Sequence, residues 1–190
     1  MAPSVQDRPR FAALSSLLSA PEAATALELW DIGEQESAIA GLVDVLLHEH
    51  VRLTERSRGQ LAVLAETWGV WDSVGDRIGA CEATGEEDPP WQLLRPGRAE
   101  TIGGELVREI GPGHVLRGFE LVIWLECGHC DDVLTRAYTR EASGLSFMAL
   151  SYAVVHPTWR RSAEAPSYPR ASVFTTAYEA LGALDACQNN

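Results

Sequence analysis

Ala38-Ile39-Ala40-Gly41-Leu42-Val43-Asp44-Val45-Leu46-Leu47-His48-Glu49 places Ile39, Leu42, Val43, Leu46 and Leu47 at the spacing that gathers side chains on one helix face. Val51-Arg52-Leu53 interrupts the pattern, and Thr54 follows as a good N-cap. Leu61, Leu64, Ala65 and Trp68 then form a second stripe, with Gly69 where a C′ glycine would end it. Val74, Ile78 and Cys81 continue a third. Each stripe needs a partner to cover it, so residues 33–81 predict a helical hairpin or three-helix unit.

Upstream, residues 1–10 are polar, contain two prolines and read as a mobile tail. Residues 11–19 suit a short helix, and Pro21 can open another that runs through Leu27 and Trp30 to Gly33. Downstream, the run Glu86-Glu87-Asp88-Pro89-Pro90 and the later Arg95-Pro96-Gly97 read as a linker in which Trp91, Leu93 and Leu94 anchor the crossing. A helix is expected over 101–110, strands over 119–125, 133–139 and 145–155, a loop over 160–169, and an amphipathic helix over 175–186. Residues 126–132 form the turn that makes the first two strands an antiparallel hairpin. The expected fold is therefore α+β. Its parts are a tail and short helix (1–20), a helical unit (21–88), a linker (89–100) and a small antiparallel meander with covering helices (101–187).

With 190 residues, 46% hydrophobic and 22% charged, the chain is long enough for one ordinary domain or two small ones. No apolar run reaches the roughly 18 residues needed to span a bilayer, and residues 11–20 lack the sustained apolar core of an export signal. A cytoplasmic protein without a membrane partner is expected. A formal net charge of −12 argues against nucleic acid, which demands a basic surface. All 15 basic residues are arginine, so no Schiff-base lysine and no P-loop lysine is available. Seven acidic residues and no arginine lie between Pro21 and His50. They form either a solvated helix face or a docking surface for a basic partner.

The cysteines, Cys81, Cys127, Cys130 and Cys187, are too scattered for a secreted disulfide scaffold. Cys127-Gly128-His129-Cys130 matches the active-site tetrad of protein disulfide isomerases. A reactive thiol of that kind needs a helix N-terminus, whereas Asp131, Asp132 and a strand-like segment follow here, and their negative charge opposes thiolate formation. The same pair suits one half of a zinc knuckle, the other half coming through the fold from Cys81, Cys187, His114 or His156. A plain hairpin turn with two thiols is the third reading. His48 and His50, two apart, point about 200° from each other on a helix and cannot chelate one metal; one of them suits a C-terminal cap. His156 has no nucleophile paired with it by any motif, and Gly111-Pro112-Gly113-His114 reads as a turn.

Residues 34–74 resemble the MafI family of bacterial toxin-immunity proteins. The likeness rests on the helix Ala38–Glu49, the Val51-Arg52-Leu53-Thr54 link and the second helix Leu61-Ala62-Val63-Leu64-Ala65-Glu66-Thr67-Trp68 closing at Gly69-Val70. That resemblance implies a non-enzymatic protein that neutralises a cognate toxin by binding it, with no catalytic residues and no cofactor. Partner-binding residues are then expected among Glu34, Glu36, Asp44 and Glu49, which fall off the apolar stripe and would face a basic toxin. The competing expectations are a zinc- or thiol-bearing module built on Cys127 and Cys130, and an accessory protein of other partnership.

Overall fold

The computed structural model describes residues 6–85, 90–94, 96–140 and 147–186. Two compact units divide the chain, Met1–Pro89 and Pro90–Asn190. Among the described residues there are seven helices and one five-stranded antiparallel sheet, an α+β fold as the sequence predicts.

The first unit holds α1 (Asp7–Ser15), α2 (Ala20–Asp31), α3 (Gln35–His48), α4 (Glu55–Thr67) and α5 (Trp71–Ala80). The tail expected over 1–10 is corrected from Asp7 onward. Pro9 sits in the first turn of α1, where its missing N–H removes no helical bond, and Phe11 and Leu14 are buried. Phe11 stacks on Trp30 at 4.4 Å, and Trp30 meets Trp68 edge-on at 5.2 Å, so three helices share one aromatic column. The α2–α3 connection turns at Gly33, whose φ of 96° is open to glycine at no steric cost. α4 starts where Thr54 Oγ1 accepts the Ser57 N–H at 3.0 Å. It ends as predicted at Gly69 (φ 73°), where Val70 N–H donates to Ala65 O and Gly69 N–H to Glu66 O. His50, with φ 52°, plays the same closing role for α3, its N–H donating to Leu47 O.

The second unit orders its strands β1 (Trp91–Leu93), β2 (Glu120–Cys127), β3 (Val133–Arg140), β4 (Phe147–His156) and β5 (Arg170–Phe174) in sequence. Two of these are corrections. The expected linker over 89–100 holds β1, which pairs with β2 through Trp91↔Cys127, and the first residues of α6 (Pro96–Glu109). Three residues are too short to show alternation, yet burial of Trp91 secures the edge. The other addition is β5, paired with β4 through His156↔Arg170 and Val154↔Ser172. Linker residues 86–89 and the start of the third predicted strand, 145–146, lie outside the described residues.

The sheet has helices on both faces. α6 lays Ile102, Leu106 and Ile110 against Ile123, Val133, Ala137, Ala153 and Val155. α7 (Ala177–Ala186) packs Ala180, Leu181 and Leu184 on the side carrying Trp124, Tyr152 and Val154, because alternate residues of a strand point to opposite faces. Two buried glutamates of α6 hold the loop after β4. Glu109 accepts the Thr158 N–H at 2.9 Å and the Arg160 N–H at 3.1 Å, while Glu105 accepts the Arg161 N–H at 2.6 Å.

Candidate functional site

Among the described residues, two places that gather chemistry-bearing side chains stand out, one in each unit. In the first, α2 and α3 form an antiparallel hairpin whose outer seam is open. Ala26, Leu29, Ala38, Gly41, Leu42 and Val45 line a cavity of about 170 Å³ there. Small residues create it: a Cβ built on Gly41 meets nothing within 4 Å. Ile32, 68% exposed, continues the apolar row one turn beyond Leu29.

The four predicted partner-binding carboxylates stand differently toward this groove. Glu34 lies one turn before Ala38 and Glu49 one turn after Val45, so both close the ends of the row on α3. Asp44 sits beside Val45 but is ion-paired with Arg77 of α5. Glu36, two residues from Ala38, points about 200° away from the row. Glu49 accepts from His48 at 2.8 Å and Glu34 from Ser37 at 3.3 Å. On α2, Glu22 lines the groove and Glu28 is exposed beside Leu29. Asp31, at the end of α2, accepts from Nε and Nη2 of Arg8 at 2.7 Å each, and those hydrogen bonds lower its carboxyl below the ordinary range. The groove is apolar within and acidic around its rim.

The second place is the corner of the sheet on the α7 face. Cys130, Asp132, Val154, His156, Arg170, Ser172, Ala183 and Ala186 line a cavity of about 460 Å³. Asp132, His156 and Arg170 stand side by side because Val133 pairs with Val155 and His156 with Arg170. His156 Nδ1–H donates to Asp132 Oδ1 at 2.6 Å, which fixes the ring. Sequence reasoning misses this row, since no pattern in the sequence predicts β5 and His156 has no motif partner.

The two candidate metal ligands flank the β2–β3 turn. Cys127 is buried in β2 opposite Trp91, while Cys130 lies in the turn and faces the cavity. Their sulfurs accept backbone N–H groups of His129 (3.5 Å) and Asp132 (3.4 Å) respectively. His114 is committed elsewhere: Nε2–H donates to Pro169 O at 2.8 Å, and Nδ1 accepts the Leu116 N–H at 3.1 Å. Cys81 belongs to the first unit, where burial pushes its thiol up from the ordinary range. Cys187 lies outside the described residues. Among the described residues no group of three or more His, Cys, Asp and Glu converges as a metal site. No helix among them is long and apolar enough to cross a membrane. No family model, curated protein or solved structure matches this chain.

Proposed function

We propose that this chain is a non-enzymatic, cytoplasmic binding protein, an immunity protein of the kind the MafI-like pattern implies, which neutralises a basic toxin by docking it on the α2–α3 hairpin. The observation that supports the reading is the groove itself, an open apolar seam rimmed by Glu22, Glu34 and Glu49 on a hairpin without a single arginine. An apolar side chain of the partner would fill the seam, while basic residues beside it meet the rim. The carboxylates mainly accelerate encounter, and burial in the seam sets the residence time.

The test is co-expression with the product of the adjacent gene. The immunity reading expects that product alone to arrest growth and this chain to restore it. Restoration should fail when Glu34 and Glu49 are both reversed to arginine. Growth arrest that persists despite folded protein, or no arrest at all, would overturn the reading.

A further inference from the structure

The sheet-corner cavity lies in the second unit, apart from the hairpin, and its lining is chemically mixed in a way the hairpin is not. We propose that it is a binding site for a small aliphatic carboxylate, held by Arg170 with help from Ser172. The two residues alternate on β5 and therefore face the same side, toward the cavity that both line. Among the described residues no carboxylate pairs with the Arg170 guanidinium. The nearest candidate in the cross-strand row, Asp132, is turned to His156 instead. The imidazole thus stands between acid and guanidinium and leaves the planar fork of Arg170 available for a bidentate partner.

The charge and shape of the cavity select the ligand. Arg170 supplies one full positive charge, enough for a monoanion. A phosphate dianion would also meet Asp132 and the carbonyl end of α7, where Ala183 and Ala186 line the wall and the helix dipole is negative. Val154, Ala183 and Ala186 form an apolar floor suited to a short hydrocarbon body. Cys130 opens onto the same space, so its thiol reports on occupancy.

That thiol makes the test direct. Iodoacetate is itself a small carboxylate: the Cys130 thiolate forms a bond to its methylene carbon, iodide leaves, and the thiol proton passes to buffer. Iodoacetamide performs the same step without the negative charge. Labelling of each cysteine is followed by mass spectrometry in the full chain, with buried Cys127 as internal reference. Iodoacetate should label Cys130 with a rate that saturates. Arg170→Gln should lower that rate by about tenfold, the loss of one charge-assisted pair, while the iodoacetamide rate changes less than about twofold. Isovalerate should protect Cys130. An iodoacetate rate unchanged in Arg170→Gln, an equal fall for both reagents, or protection by inorganic phosphate as strong as by isovalerate would each overturn the proposal. Arg170 is exposed, and the iodoacetamide rate reveals any disturbance of the fold.

Discussion

Asp44 of α3 is ion-paired with Arg77 of α5. One of the four carboxylates expected to meet a partner therefore also ties two helices of the first unit together, and its reversal tests two things at once. Asp44→Arg would set two guanidinium groups against each other and cost about 0.5–1 kcal/mol, the scale of an exposed pair. Glu36→Arg should stay within about 0.5 kcal/mol of the parent. Urea denaturation of the two variants checks the difference; equal midpoints would mean that the Asp44–Arg77 pair contributes nothing.

Two glycines should respond to alanine with opposite sign. Gly41 is helical and open, so Gly41→Ala should stabilise the first unit by roughly 0.5–1 kcal/mol through helix propensity and chain entropy. At Gly111 a Cβ would lie 2.6 Å from the carbonyl oxygen of Glu164. Backbone cannot yield as a side-chain tip can, and Gly111→Ala should cost about 1–3 kcal/mol. Denaturation midpoints of the two variants moving the same way would contradict this packing.

Acid should weaken the protein through carboxylates that are better solvated by hydrogen bonds in the fold than in the open chain. Burial alone would raise the Glu105 carboxyl, but hydrogen bonds donated by the Arg161 N–H and by Arg108 outweigh it and hold it below its ordinary value. Glu179 is lowered first by the Thr175 hydroxyl and then by Thr176. A lowered folded value means the unfolded chain binds protons first. Their contribution is therefore complete above the ordinary carboxylate range of about 4.3 and is lost as pH falls through the folded values. Glu105→Gln should flatten the loss of stability between pH 5 and pH 3, read from urea midpoints; an unchanged slope would remove Glu105 from the cause.

The helical unit was legible because its signals are local. Ile39–Leu46 and Leu61–Trp68 carry the period of a helix, and Thr54, Gly33 and Gly69 mark its ends, all within a few residues of the structure they dictate. β1 and β5 were hidden for the opposite reason. Trp91-Gln92-Leu93 and Arg170-Ala171-Ser172-Val173-Phe174 have little pattern of their own and become strands by pairing with β2 and β4. The candidate sites divide in the same way. The acidic hairpin is visible in a stretch of sequence, but the separation of Glu34 and Glu49 from Glu36 appears only on the folded helix. The Asp132–His156–Arg170 row joins the β2–β3 turn to β4 and β5, and no spacing announces it. Asp7 resembles tail in sequence because a helix that begins with Asp-Arg-Pro-Arg shows its apolar face only at Phe11 and Leu14.

Filling the groove is the most direct measurement of whether the hairpin is a docking surface. Gly41→Leu places a side chain in open space on the outer seam and also raises helix propensity, so the variant should be at least as stable as the parent. Parent, Gly41→Leu and the Glu36→Arg control are immobilised side by side, exposed to lysate of the native host, and their retained proteins quantified at low and high salt. The parent and Glu36→Arg should retain the same basic protein, less of it at high salt, and Gly41→Leu should retain about tenfold less or lower still. Retention of that protein in equal amount by folded Gly41→Leu, or retention of no basic protein by the parent, would contradict docking on the α2–α3 groove.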